Sequence, residues 1–451
     1  MFVSFRAEVA AARRHGDLFF AALLSQEVIL TALGAASSLW QGWIYTPEVT
    51  TWVFLSQCLS ADHSCRDAVA RLAAWRVAQG LHACSAETGA YCTARDHLPE
   101  EACQELVRQT GKDLEEQAPR EWLWHGRSVR TVDGTTITMP DTTKNQAEYP
   151  QQKNQKPGCG FPIARVLVVF SLAVGTVLEV ALRPYEGKLT GENSMLRTLH
   201  SSFAAGDVVL ADRYFSGWFD LALLHERGVD VVVRKHQLRA TDFRVGRHLG
   251  ANDHLVCWAK PSRAAWMSRR CYAALPNELV LREVRVRVRQ RGFRVKSLVI
   301  VTTLLDAKEY SAEAIADLYR LRWQAELNLR SLKTVLTMDH LRCKTPHRVR
   351  NELYMHLLGY NLIRKALAAF ESKLCPWQVS FKGTLQSLNT FLPLLGSCMN
   401  ITDGCETLLA CIATHIVGNR PDRYEPRVIK RPPKKYKRMR EPRQQYKKRV
   451  R

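Results

Sequence analysis

The sequence predicts an α/β fold: a sheet-based core, interrupted by a β-rich insertion and flanked by helical N- and C-terminal domains. Three observations predict it. Apolar residues recur with the helical period up to about residue 125 and with a period of two from about 126. The segments then run strand, strand, strand, helix, strand, helix, strand. A further β-rich stretch of about 70 residues delays the next helix.

Helices are predicted over 5–14, 19–35, 50–59, 65–79 and 99–110, and Ser64 is placed to cap the fourth. Residues 85–95 read either as a short packed helix or as the second helix of a helix-turn-helix. In the second case Ser85 caps it and Thr88, Tyr91 and Arg95 share a face. Strands are predicted at 128–133, ending in a turn at Asp133-Gly134-Thr135, and at 165–172 and 177–182. A helix over 192–203, a strand over 207–211 stopping at Asp212, a helix over 217–226 and a short buried strand over 230–234 complete the core. Three leading strands with helices alternating after them make the layout of a ribonuclease-H-like domain. Such a domain carries one acid on its first strand and a second just past its fourth. Asp133 and Asp212 occupy those two places.

The insertion covers about 236–307. Within it, Val284-Arg285-Val286-Arg287-Val288-Arg289 alternates strictly, valines to one face and Arg285, Arg287, Arg289 and Arg291 to the other. With no acid between them these arginines repel one another, which favours a phosphate-facing ridge over the wet face of a half-buried sheet. A turn at Arg291-Gly292 leads to a return strand over 294–303. The segment is too long for a loop and is expected to be a structured subdomain. Residues 346–418 are helical again and are expected to cover the core or a partner subunit. Residues 422–451 hold 14 Lys and Arg against Asp422, Glu425 and Glu441, a net +11 that is half of the chain's +22. With five prolines and few aliphatic residues, 419–451 is expected to be a disordered basic tail. The divisions are therefore 1–125, expected to bind DNA, 126–345, 346–418 and 419–451.

The positive excess points to a polyanionic partner, nucleic acid before an anionic membrane surface. The longest apolar run, 166–178, is 13 residues and is broken by Ser171, Gly175 and Thr176. A spanning helix needs about 20, so no membrane partner is expected. The first residues lack a signal-peptide pattern. The 13 cysteines are scattered, with no Cys-x-x-Cys pair, as expected of reduced thiols in a cytosol.

The densest chemistry lies between Asp317 and Lys333. On a helix, Tyr319, Arg322, Glu326, Arg330 and Lys333 fall on one stripe, within about 60° of Tyr319. Leu318, Leu321, Ala325, Leu329, Leu332 and Leu336 form an adjoining apolar stripe that docks the helix. A solvated face with i, i+4 pairs such as Arg322 with Glu326 is the ordinary alternative. Asp133, Asp212 and Glu326 come from three separate elements and could share one site. Two Mg²⁺ ions need such oxygen ligands and promote in-line phosphoryl displacement. Without metal, the three acids would be a costly cluster of like charge.

Tyr319-x2-Arg322-x3-Glu326-x6-Lys333 matches the signature of bacterial insertion-sequence transposases of the IS-four (YREK) family, of DDE type. Val132-Asp133-Gly134-Thr135 and Leu210-Ala211-Asp212-Arg213-Tyr214-Phe215 also resemble the contexts of that family's first two acids. The resemblance runs over about 20–370. It implies a ribonuclease-H-like catalytic core, two Mg²⁺ or Mn²⁺ ions on Asp133, Asp212 and Glu326, and phosphate contacts from Tyr319, Arg322 and Lys333. Arg330 joins them by helix geometry alone. It also implies cut-and-paste transposition by a homodimer on double-stranded DNA, holding terminal inverted repeats and target, in the bacterial cytoplasm at the nucleoid. Some relatives place a base-catching aromatic on the last insertion strand. Here that strand has none, and Trp258 or Trp266 could substitute, although core packing is the simpler role for both. The rival readings are a stand-alone nuclease on the same core and a non-catalytic DNA-binding derivative; the latter predicts a lost acid.

Overall fold

The computed structural model describes residues 23–40, 43–287, 297–368, 376–395, 401–417 and 439–450. The helix expected over 5–14 lies outside them. Five helices come first: α1 (Gln26–Leu33), α2 (Pro47–Leu59), α3 (Cys65–Ala78), α4 (Gly89–Asp96) and α5 (Glu100–Glu116). Ser25, Thr46 and Ser64 accept the amide hydrogens of Val28, Val49 and Asp67, which caps the first three.

The helix-turn-helix does not form. α4 begins at Gly89, and the Ser85 hydroxyl accepts the Glu87 amide instead of capping a helix. Tyr91 is fully buried and Arg95 is 5% exposed. Both meet Gln57 Oε1, at 2.7 and 3.1 Å, so α4 is the short packed helix of the two readings and its side chains serve the core.

The sheet core comes next, as β1 (Val129–Thr138), α6 (Thr143–Glu148), β2 (Ile163–Ser171), β3 (Val177–Pro184), α7 (Glu192–Thr198), β4 (Val208–Ala211), α8 (Trp218–His225) and β5 (Asp230–Arg234). β1, β2 and β3 form an antiparallel meander, while β1, β4 and β5 run parallel. β1 does not turn at Asp133. The β-branched Thr135, Thr136, Ile137 and Thr138 continue the pairing, ending with Thr138 opposite Ile163. Asp133 is therefore a mid-strand residue.

The insertion contains β6 (Arg247–Gly250), β7 (Asp253–Ala259), α9 (Arg269–Ala274), β8 (Glu278–Arg287) and β9 (Ser297–Thr302). Its strands extend the core sheet, because β9 pairs antiparallel with β5. The result is one nine-stranded sheet of order β3-β2-β1-β4-β5-β9-β8-β7-β6. Arg285 and Arg287 are exposed on β8 as the alternation predicts, while Arg289 and Arg291 lie outside the described residues.

The remaining elements are α10 (Ala312–Leu321), α11 (Trp323–Arg330), α12 (Pro346–Ala368), α13 (Phe381–Leu395), α14 (Ile401–Thr414) and α15 (Arg443–Val450). Among the described residues no helix is long and apolar enough to cross a membrane. α12 is buried on nearly every face from Val349 to Ala368. One apolar core joins α1 to α5, a face of β1–β3, α11 and α12 to α14. α7 and α8 cover the other face of the sheet. The tail was expected to be disordered, but its described end is the helix α15. Arg, Lys and Gln are good helix formers, and the Gln445 amide closes the first turn onto the Pro442 carbonyl at 2.9 Å.

Two contacts weld the helices to the edge strand β3. At Gly111 on α5, a Cβ would lie 2.1 Å from the Val177 carbonyl oxygen, so only glycine allows this approach. Asn361 on α12 accepts the Val177 amide hydrogen at 2.7 Å and donates to the Val177 and Val107 carbonyls at 2.9 and 3.0 Å. Asn361→Ala leaves several buried backbone groups unpaired and should cost about 2–4 kcal/mol. The check is a lowered urea midpoint with an unchanged slope.

Candidate active site

The expected long helix is divided. α10 carries Tyr319, α11 carries Glu326, and Arg322 sits at the junction. The Arg322 amide bonds to the Tyr319 carbonyl and the Ala325 amide to the Arg322 carbonyl, both with three-residue spacing. After α11 the chain makes a π turn, Ser331–Val335, closed by the Leu336 amide on the Ser331 carbonyl at 3.1 Å. An extra residue in a turn rotates the residues beyond it about the helix axis, so Lys333 departs from its ideal angle. The apolar stripe persists all the same: Leu318, Ala325, Leu329, Leu332 and Leu336 are buried.

Three elements carry the acids. The parallel register pairs Thr131 with Leu210; two residues further along, Asp133 stands level with Asp212. α11 packs against β1 and brings Glu326. Asp133 Oδ1 accepts the Gly134 amide at 2.9 Å. At Gly134 a Cβ would lie 2.5 Å from the Glu192 carboxylate, which pairs with Arg165 at 3.2 Å, so a side chain there would push Glu192 aside. Asp212 caps the short turn Arg213–Phe215, its Oδ1 accepting the Tyr214 amide at 2.7 Å. Glu326 Oε1 accepts Nη2 of Arg322 at 2.6 Å.

The charges respond to one another. Burial pushes the Asp133 carboxyl up to about 6; Glu326 and Asp212 push the same way, against the Gly134 amide and Arg322. Burial also pushes the Tyr319 phenol up to about 12, with Arg322 and Arg234 opposing and Asp212 adding. Burial disfavours the charge on Arg322, but Glu326, Tyr319 and Asp133 together hold its pKa above the ordinary range. The guanidinium thus balances a cluster of acids.

Asp133, Asp212, Glu326, Arg322 and Tyr319 lie near enough to influence one another electrostatically. Lys333 is half-buried on the π turn and Arg330 exposed at the end of α11. Arg285 and Arg287 are on the insertion, away from the acids in sequence and on another part of the sheet. Trp258, 8% exposed, donates to Glu283 at 3.2 Å and is a core residue. Trp266, 37% exposed, stacks on the Arg197 guanidinium at 3.8 Å. Arg234 was missed from the sequence. It ends β5, the strand beside that of Asp212, and lies near enough to influence Tyr319. Its signal was there: a cation ending the next parallel strand after the second acid.

The model of the Transposase DDE domain family matches residues 124–362, a span that encloses all three acids. The chain belongs to the DDE transposase family. Over 353 residues it is 26% identical to the transposase InsG of insertion sequence element IS4 from Escherichia coli (strain K12), covering 76% of each chain. It is also 26% identical over 241 residues to the probable transposase of insertion sequence element IS5377 from Geobacillus stearothermophilus, covering 53% of this chain and 56% of that one. The piggyBac transposase synaptic complex with hairpin DNA aligns with a TM-score of 0.40 at 10% identity, over 89% of this chain and 85% of that one. The transposase is a DNA-processing enzyme, and DDE transposases use divalent metal ions.

Among the described residues no three Asp, Glu, His or Cys side chains stand close enough together to hold an ion. The donor set nevertheless suits a hard cation, because all three acids offer oxygen. Burial is the main reason the Asp133 carboxyl is raised, with Glu326 and Asp212 adding to it, and a cation would offset both.

Asp133 makes the metal-free transposase sensitive to pH. Its folded pKa of about 6 exceeds the ordinary value of 3.8. The stabilising contribution is therefore full below pH about 4 and is lost as pH rises through about 6. In metal-free buffer Asp133→Asn should remove about 2 kcal/mol of this pH-dependent stability. Melting curves of the two proteins between pH 4 and 7 make the comparison.

Proposed function

We propose that Asp133, Asp212 and Glu326 hold two divalent cations, Mg²⁺ or Mn²⁺, and form the catalytic triad of a ribonuclease-H-like core. The observation that carries this is the placing of Asp212, at the end of β4, and Glu326, on α11, within electrostatic reach of the half-buried Asp133 of β1. When bound, such ions supply Lewis acidity for in-line displacement at a phosphodiester. The chain's own residues do the rest. Glu326, which would hold an ion, accepts a hydrogen bond from Arg322 at 2.6 Å; an ion there would compete for that carboxylate and leave the guanidinium available to a DNA phosphate. Tyr319 and Arg234 flank that position, and Lys333 extends it. A transposase must hold a cut end and aim its 3′-hydroxyl at a second phosphodiester, which calls for cations beside the metals.

Further contacts to transposon ends and target fall to the exposed Arg285 and Arg287, with Arg289 and Arg330, and to the basic tail. The exposed Arg66 and Arg71 of α3 support a DNA-binding role for 1–125 through its surface. The exposed Leu394, Ile416 and Val417 support dimerisation through 346–418.

Asp133→Asn, Asp212→Asn and Glu326→Gln should each reduce end cleavage about a thousand-fold or more and leave end binding within a few-fold. Arg322→Ala, Arg234→Ala and Lys333→Ala should impair strand transfer more than the first nick. A labelled duplex carrying the element end, resolved into nicked, cleaved and joined products, separates these effects. Wild-type cleavage by Glu326→Gln would remove it from the triad, and parallel loss of every product in the cation variants would indicate general binding.

Deleting 426–451 should weaken binding to all DNA sequences and flatten its salt dependence by about one unit of slope per lost phosphate contact. An unchanged slope of log K against log salt would place the tail away from DNA.

A further inference from the structure

Away from the acids, a guanidinium is buried among thiols. Arg95 on α4 places Nη2 3.4 Å from Cys65 Sγ and 3.7 Å from Cys92 Sγ. The two sulfurs are 3.9 Å apart. Cys65 opens α3 and Cys92 lies on α4; both are free and partly exposed. The guanidinium's other contacts are neutral: Gln57 Oε1 at 3.1 Å, and the rings of Phe54 and Tyr91, each 4.8 Å from its central carbon; Glu352 and Asp96 act on it electrostatically without bonding to it. Among the described residues no carboxylate forms an ion pair with Arg95, and its Nε has no hydrogen-bond partner. Packing alone does not require a buried cation shared between two sulfurs. A thiolate at either sulfur would supply the missing negative charge.

We propose that Cys65 and Cys92 form a redox site that hydroperoxides oxidise to a reversible disulfide joining α3 to α4. Cys65 reacts first, since it lies at a helix start and nearest Arg95. Its thiolate attacks one peroxide oxygen; an S–O bond forms and the O–O bond breaks. The departing hydroxide takes up the thiol proton and leaves as water. The Cys92 sulfur then attacks the sulfenic sulfur; the S–S bond forms and the S–O bond breaks. The second hydroxide leaves as water with the Cys92 proton. Two thiols lose two electrons and one peroxide becomes two waters. The sulfurs need only close from 3.9 Å to about 2.05 Å. Burial holds the Cys65 thiol up while Arg95 pulls it down, so the site answers sustained oxidant and stays reduced otherwise. Cellular thiols reverse the bond.

The test uses the full chain, treated with hydrogen peroxide in mildly alkaline buffer, alkylated, and digested with trypsin and chymotrypsin without reductant. The expected product is a peptide joined through Cys65 and Cys92 that disappears on reduction. In Cys92→Ser the sulfenic acid should persist on Cys65 and be captured by dimedone. The exposed Cys257 reports that oxidant acted. Oxidised Cys257 with no joined peptide overturns the proposal, as does a disulfide joining either cysteine to a different partner. Dimedone capture on Cys92 in Cys65→Ser, with none on Cys65 in Cys92→Ser, overturns the order of reaction.

Discussion

The site depends on one register. β1 and β4 run parallel with Thr131 opposite Leu210, which brings the acid within β1 level with the acid just past β4. A slip of one residue would turn Asp133 to the other face of the sheet, toward α7 and away from Glu326. Both neighbourhoods protect the register. Val129, Val208, Leu210 and Val232 pack with α10 on one side, and Val132, Val209 and Ala211 pack with α7 and α8 on the other. Gly134 lets the Glu192 carboxylate close against the strand immediately beyond Asp133.

That register concentrates negative charge, and Arg322 balances it. Its position between α10 and α11 matters, since the guanidinium bonds Glu326 while acting on Asp133 and Tyr319. A buried arginine is costly without anionic partners. Here those partners are Glu326, Tyr319 and Asp133, and under the proposed function a bound cation or phosphate would compete for them.

The helices and insertion brace this arrangement. α12 runs through the shared core and ties β3 to α5 through Asn361. α5 and α12 therefore stabilise each other, although more than 200 residues separate them. The insertion continues the sheet from β5, and its arginines ride on strands continuous with those bearing the acids. A phosphate ridge on β8 would thus be rigidly coupled to the site.

Much of this was legible in the sequence. Strand and helix periods located β2 to β5 and α8 closely, and the spacing of Tyr319, Arg322 and Glu326 identified the helical segment that bears the third acid. These features are local: side-chain period, hydroxyl caps and charge spacing act within a few residues. Pattern could not decide which partners those segments would meet. Thr135–Thr138 continued β1 because β2 was available to pair, and Tyr91 and Arg95 went inward because Gln57 awaited them. The insertion became more sheet because β5 offered an open edge. The sequence alone determined the elements, the charge and the family. Tertiary packing decided the length of β1, the break at Arg322, the nearness of Arg234 and the burial of Arg95, because each depends on residues far apart in the chain.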